Sequence, residues 1–348
     1  MLADKGITLR VLIGKPTTQE ALKRDEGVLP WAELIPTYYF GKLCWQPCEK
    51  YTSEADLVIT AQENKLIYNH LLLLRKKKYR LAFWGHGANM QSNSPNGLKE
   101  KYKRWSSQKV DWWFAYTKIS LDLVSSTGFQ PQKITNLENA IDTTSLENHL
   151  KSITEDELET LRDQLGWQNS KIGIFIGSLY SDKRLNFLLE SALELHTLNS
   201  EFKLLIIGDG PDRCIVTEFC SKYSWCIWVG AQTGRDKAKY LALADVCLNP
   251  GLVGLGILDS FVAKVPIVTT ECGLHSPEIA YLQQNNNGLI TNNSVHCFVE
   301  GVRKILYNTE YRLKILNGCT ESAAHYTVEN MAQNFLTGIL NALEIHKN

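Results

Sequence analysis

The chain predicts an α/β protein made of two doubly wound, Rossmann-like domains that face each other across a cleft. Three observations carry that expectation. Short apolar segments alternate with helix-length segments through both halves, the rhythm that parallel βαβ crossovers require. At 348 residues there is room for about two ordinary domains, each with its own core. Between the halves, residues 147–168 are charged and poor in apolar side chains, which reads as a helix plus linker and puts the domain boundary near residue 168.

In the first half, residues 8–14, 57–60 and 80–84 read as strands, with a helix over 65–74 between the last two. A helix over 98–108 leads to a strand over 110–116, whose Trp112 and Trp113 read as packed strand aromatics. Residues 120–127 form a short helix stopped by Gly128, and residues 134–137 run into the segment 139–142. In the second half the strands are 172–177, 202–207, 227–229, 246–249 and 267–270, with crossover helices in the gaps, the first over 185–195. The last helix, 329–346, is expected to pack back onto the first domain. The predicted units are therefore 1–168, 169–328 and this terminal helix, 329–348.

Composition is that of a soluble globular protein, 44% hydrophobic and 21% charged. No apolar run approaches the roughly 18–20 residues a membrane span needs, and the leucines at 71–74 give way at once to Arg75 and three lysines. The N-terminus lacks the pattern of a signal peptide. Nine cysteines are scattered, with Cys247 in a predicted strand and Cys319 in a predicted helix, and Cys44 and Cys48 have no second pair at zinc spacing. A reducing cytoplasm is expected, with no metal site. The net charge is zero, yet residues 1–150 hold 20 lysines and arginines against 15 acidic residues. A basic first half suits an anionic acceptor or a peripheral place on an anionic membrane surface; a solvated helix end at 75–80 is the alternative. No nucleic-acid partner is expected.

The chemistry sits where predicted strands end. Lys183 and Arg184 follow the strand 172–177 and open a helix, so two cations and the helix amides converge on one point, a place for a diphosphate. Two exposed helix-start cations would be the plainer reading. Gly208-Asp-Gly-Pro211 ends the next strand; its glycine spacing is not that of a dinucleotide loop, which argues against a nicotinamide dehydrogenase. Gly251, Gly254 and Gly256 crowd one loop before a helix, permitting left-handed dihedrals and close approach of backbone amides to an anion, or simply a tight turn. His275 precedes a helix start in which Ser276 caps, Pro277 takes the first position and Glu278 the first turn, although the segment could also border a cleft. In the first half, His86 stands between two glycines at a strand's carboxyl end, badly placed for a core and well placed for a cleft. Glu63 also ends a strand, where it either lines a cleft or caps a helix.

Taken in order, Gly177-Ser-Leu-x-x-x-Lys183-Arg184, Gly208-Asp-Gly-Pro211, Ala244-Asp245, the glycine loop with Asp259, and Pro266-Ile-Val-Thr-Thr resemble the donor half of a family-4 glycosyltransferase of the GT-B fold, of the bacterial surface-polysaccharide type. The likeness is strong over residues 170–310 and looser through 84–89 and 139–142. It implies transfer of a sugar, with retention of configuration and without metal or cofactor, from a nucleotide diphosphate sugar to a glycan or lipid-linked glycan. The first domain would be the acceptor side and the second the donor side. The diphosphate would lie against Ser178, Lys183, Arg184 and the loop Gly254, Leu255, Gly256 and Ile257. Ser178 stands where the family usually has another arginine. Asp259 falls on a glutamate expected to bind the ribose hydroxyls, and a second family glutamate falls on Gly251 or Val253, neither acidic. A bacterial subgroup is similar in its Pro-Gly-x-Val-Gly-Leu pattern followed by aspartate. His86 is implied as the catalytic contact beside the transferred sugar, and Asn139, Asp142, His275, Glu278 and Glu63 as cleft residues. A GT-B first domain begins with a strand, a glycine loop and a helix; only seven residues precede position 8, so that unit is expected to be missing. Two rivals stay open: a catalytically silent GT-B partner subunit and a nucleotide-sugar epimerase of the same fold.

Overall fold

A computed structural model describes residues 5–17, 29–74, 78–87 and 97–344. Residues 1–4, most of the basic cluster at 75–78, and Ala88 and Asn89 of the His86 loop lie outside the described residues. Two compact units divide the chain, one of residues 1–138 and 332–348, the other of residues 139–331.

In the first unit, β1 (Leu12–Ile13) pairs in parallel with β2 (Glu33–Leu34), and β3 (Tyr38–Phe40) forms an antiparallel hairpin with β4 (Leu43–Trp45). The main sheet is parallel and runs β5 (Leu57–Ala61), β6 (Arg80–Gly85), β7 (Trp112–Ala115) and β8 (Ile134–Asn136) in sequence order. Its interior is continuous in apolar residues, as a sheet covered on both faces requires. Trp113, Phe83 and Val124 pack on one face. On the other, Phe114 stacks on Phe335 at 4.9 Å between ring centroids, and Gly338 sits where a Cβ would meet Thr135 and Phe114 within 2.6 Å. Residues 332–344 of helix Val328–Glu344 thus complete this unit's core. Trp112 and Trp113 are both buried, their indole N–H groups donating to Thr135 Oγ1 and to the Ser107 carbonyl. Gly128 ends helix Lys118–Ser126 with φ of 92°, the left-handed stop that its glycine allows. The expected strand at 8–14 shrinks to β1, and the hairpin β3–β4 was not anticipated.

The second unit is a six-stranded parallel sheet in the order β11–β10–β9–β12–β13–β14, built from β9 (Lys171–Ile176), β10 (Phe202–Ile207), β11 (Cys226–Trp228), β12 (Val246–Leu248), β13 (Ile267–Thr270) and β14 (Gly288–Thr291). Five of these match expected strands; β14 is additional. Strand order reverses between β9 and β12, and ligands of open α/β sheets bind outside the strand ends at such a switch point.

The contact boundary falls at residue 138, thirty residues before the expected one. Residues 139–168 form two helices, Thr144–Ser152 and Glu155–Leu165, instead of a helix and a linker. Their overall charge hides an apolar stripe: Leu146, Leu150 and Ile153 on the first, Leu158, Leu161 and Leu165 on the second, all packed with Trp167 against the core around Ile172 and Leu241. The second helix opens with a capping box between Thr154 and Glu157 and closes on Gly166 at φ 68°. Arg235 and the Thr154 amide hold the Glu157 carboxyl down at about 2.

Candidate functional site

The segment after β9 does not open directly into a helix. Ser181–Lys183 is a 3-10 turn, Arg184 follows in the left-handed region at φ 55°, and helix Leu185–Leu198 starts after it. The two cations therefore precede the helix, and main-chain packing fixes the bend that presents them. A Cβ on Gly208 would lie 1.8 Å from the Gly177 carbonyl oxygen, and one on Gly210 would lie 2.3 Å from that of Leu179. The Gly208-Asp-Gly-Pro motif thus clamps the turn after β9, with Leu179 N–H donating to Asp209 O and Asp212 N–H to Leu179 O.

Lys183 is 8% exposed and its ammonium donates to the Leu252 carbonyl at 2.5 Å. Burial lowers its pKa, and Asp182 offsets this only in part. Arg184 donates from Nη1 to the Pro250 carbonyl at 3.1 Å and to Thr270 Oγ1 at 2.9 Å, with its guanidinium 4.3 Å from the centre of the Phe187 ring. Thr270 Oγ1 passes its own proton to the Pro250 carbonyl. Neither cation forms an ion pair with a carboxylate among the described residues. Both are spent on loop carbonyls, so two positive charges lie against one glycine loop without a counter-ion.

That loop uses its glycines differently from the expectation. None of Gly251, Gly254 and Gly256 has a left-handed φ. Gly251 is demanded by packing: a Cβ there would lie 2.2 Å from the Asp182 carbonyl oxygen. Its neighbour Leu252 donates its N–H to that same oxygen at 2.9 Å. A carboxylate side chain therefore has no room at position 251, and Val253 is fully buried. Gly254 and Gly256 have open space, the nearest atom to a Cβ on Gly254 being Ser276 Oγ at 3.5 Å. Leu255 is half-buried, Ile257 is buried, and Ser178 is exposed.

His275 braces the loop. Its Nδ1 accepts the Val253 N–H at 3.2 Å, so the other nitrogen carries the proton and donates to the Thr270 carbonyl at 2.8 Å. Cys272 Sγ lies 3.5 Å from the same nitrogen. Burial raises the Cys272 pKa, but His275, the Leu274 backbone and Arg184 outweigh it and bring the thiol down to about 7. Ser276 precedes a short 3-10 turn, Pro277–Tyr281, and makes no side-chain cap. Glu278 is buried and accepts from Asn139 Nδ2 at 3.0 Å, while Tyr281 donates to the Asn139 carbonyl at 2.9 Å. Two expected cleft residues are thus joined to each other. Asp142 is not with them: it is exposed, accepts the Thr144 N–H at 2.9 Å, and has its pKa lowered by the Thr144 hydroxyl first and that N–H second. It begins a helix.

Asp259 lies in the first turn of helix Gly256–Val262, 8% exposed, and its Oδ2 is 2.7 Å from Lys237 Nζ. Lys237 had no motif to signal it. Cys247 lies among these charges: burial pushes its thiol up to about 12, Lys183 pulls it down and Asp259 pushes it up.

In the first unit His86 is exposed at the end of β6, its ring centroid 4.4 Å from that of Tyr116. Gly87 follows at φ 79°, where a Cβ would meet Val124 at 2.6 Å and the Ser120 carbonyl at 3.0 Å. Glu63 is exposed and pairs with Lys65 at 3.0 Å, while its carbonyl accepts the Leu66 N–H. Its observed contacts are those of a turn before a helix. Around His86 the carboxyl edge of the sheet carries a feature no motif indicated. Among the described residues eight buried side-chain polar atoms have no hydrogen-bond partner, and six of them belong to Thr60, Gln62, Trp84, Thr117, Ser120 and Asn136. Strand register sets Trp84 beside Ala61 and Asn136 beside Ala115, so these residues share one end of the sheet.

Comparison with known proteins follows the same division. Residues 170–308 match the sequence model of the family described as glycosyl transferases group 1. The alpha-monoglucosyldiacylglycerol synthase of Acholeplasma laidlawii is 24% identical over 202 residues, 56% of this chain and 49% of that protein. The alpha-D-kanosaminyltransferase of Streptomyces kanamyceticus is 24% identical over 200 residues, 53% of this chain and 49% of that protein. The chain spans about half the length of these curated relatives. Among solved structures, Anabaena Alr3699/HepE in complex with UDP aligns with a TM-score of 0.71 at 12% identity, covering 94% of this chain and 91% of that one. A glycosyltransferase from Rickettsia africae aligns with a TM-score of 0.71 at 15% identity, covering 99% and 92%.

Proposed function

We propose that the protein transfers a sugar from a nucleotide diphosphate sugar to a glycan or lipid-linked glycan, since residues 170–308 match the group 1 glycosyltransferase model and the chain shares the fold of a solved glycosyltransferase. One observation carries the reading: Lys183 and Arg184 meet at the glycine loop, tied to its carbonyls and lacking a carboxylate partner among the described residues. A buried cation without a counter-ion is costly, and a bound anion removes that cost. A diphosphate supplies the charge. As the bond to the sugar breaks, negative charge grows on the leaving phosphate, and preorganised cations stabilise it. Side-chain cations take the place of a metal ion in this scheme, and the configuration at the sugar carbon is retained.

The acceptor belongs with the first unit. His86 provides a polar contact at the end of β6, and the orphaned hydroxyl and amide oxygens beside it suit a ligand rich in hydroxyl groups. The lipid in the name of the Acholeplasma relative favours a lipid-linked acceptor and a peripheral place at the inner membrane face. Among the described residues no helix is long and apolar enough to cross a membrane.

A thermal-shift screen against the common nucleoside diphosphates, followed by assay of nucleotide release from the matching sugar donors, tests the reading. A stabilising diphosphate together with release on addition of acceptor is expected. Binding without release would identify a silent partner subunit, an epimerised donor would identify an epimerase, and no stabilisation by any diphosphate would refute the donor site.

A further inference from the structure

We propose that Lys237 is a positioning residue of the donor site, holding the Asp259 carboxylate and presenting a hydrogen-bond donor beside it for a ribose hydroxyl. This deepens the nucleotide reading and rests on it. Lys237 lies on helix Gly234–Leu243, anchored beneath the sheet by Ala238 and Leu241. Its Nζ meets Asp259 Oδ2 at 2.7 Å, the two side chains being 24% and 11% exposed. No other hydrogen bond to either side chain occurs among the described residues. The ion pair therefore uses one carboxylate oxygen and one ammonium proton, leaving Oδ1 and two N–H groups to spare.

The chemistry of the remainder is specific. A carboxylate alone can only accept a hydrogen bond and an ammonium alone can only donate one. A hydroxyl does both. A lysine and an aspartate already paired place an acceptor and a donor side by side, the complement of a hydroxyl or of two adjacent hydroxyls. Their location agrees with this use. Asp259 stands in the first turn of the helix that the glycine loop opens, and Lys183 and Arg184 are bonded to the Leu252 and Pro250 carbonyls of that same loop. Lysine also prevents Asp259 from lying buried without a counter-charge before ligand arrives.

The test is equilibrium binding of UDP and of 2′-deoxy-UDP to the full chain, in the wild type, Lys237→Met, Lys237→Arg and the double variant Lys237→Met/Asp259→Asn. The wild type should bind UDP at least about tenfold more tightly than the deoxy compound, the size of one charge-assisted hydrogen bond. Lys237→Met should cut that ratio below about threefold, Lys237→Arg should restore most of it, and the double variant should match Lys237→Met. A merely structural lysine would weaken both ligands equally and leave the ratio unchanged, which would overturn the inference. Should Lys237→Met fail to fold, the double variant is read against Asp259→Asn alone: a lower ratio in the double variant supports the Lys237 donor, and an equal ratio overturns it. UDP binding without ribose discrimination in the wild type would refute the role of Lys237 and leave the nucleotide site standing. Failure of UDP and of the other common nucleoside diphosphates to bind the wild type would refute both.

Discussion

The carboxyl edges of the two parallel sheets solve opposite problems. In the second unit the polar groups there are bonded within the chain: Arg184 to Pro250 and Thr270, Lys183 to Leu252, His275 to Val253 and Thr270, Asn139 to Glu278, Lys237 to Asp259. Among the described residues two buried side-chain polar atoms are left over in this unit, Asn249 Oδ1 and His149 Nδ1. In the first unit the corresponding edge carries six buried polar atoms with no partner among the described residues. An edge already satisfied is rigid and ready for a ligand that brings charge. An unsatisfied edge is loose and costly until a partner arrives. Under the proposed function, that difference would suit a diphosphate donor in the second unit and a hydroxyl-rich acceptor in the first.

The severest way to break the contrast is Gly251→Glu, which reinstates an acidic side chain where the resemblance places one. The 2.2 Å approach of its Cβ to Asp182 O should cost about 3 kcal/mol or more, seen as loss of cooperative melting, and an unaltered melt would show that the loop yields freely. Next in size, Lys183→Ala should lower donor turnover at least about tenfold, measured with saturating acceptor. Near-normal turnover would remove the cations from the chemistry. A matched pair sharpens the comparison itself. Thr270→Val in the second unit breaks a buried network and should cost about 1–3 kcal/mol in denaturant unfolding, whereas Ser120→Ala in the first removes an orphan and should change stability by less than about 1 kcal/mol. Equal losses would mean that the orphans are satisfied in solution. The smallest effect is chemical. With its pKa lowered to about 7, Cys272 ionises as pH rises through that value. Its alkylation by iodoacetamide should therefore climb between about pH 6 and 8 and then level off, while Cys247 and Cys319, pushed up to about 12, stay unreactive in the folded protein.

Regular elements were legible where their period was undiluted. The strands β9, β10 and β13 are apolar runs bounded by glycine or proline, and their limits moved by no more than a residue. The hairpin β3–β4 was missed because three-residue strands show too little alternation to be counted, and because its outer face carries exposed Tyr38, Phe40 and Leu43. The linker at 147–168 was misread since net composition conceals a stripe that spacing reveals. At the site, Lys183, Arg184 and the glycine loop stood out because their types and order are unusual together. Gly251 as a packing glycine, Lys237 as a partner and the orphaned edge were invisible, each depending on atoms brought close from distant parts of the chain.

The helix that closes the first unit also sets a schedule for synthesis. Phe335 and Gly338 fill the face beneath Phe114 and Thr135, yet they are translated roughly two hundred residues after the strands they cover. The nascent sheet of the first unit must leave the ribosome with that face bare, and the second unit, contiguous from residue 139 to 331, can mature first. A chain stalled near residue 330 would therefore carry a contiguous second unit beside a first unit whose apolar face is still uncovered.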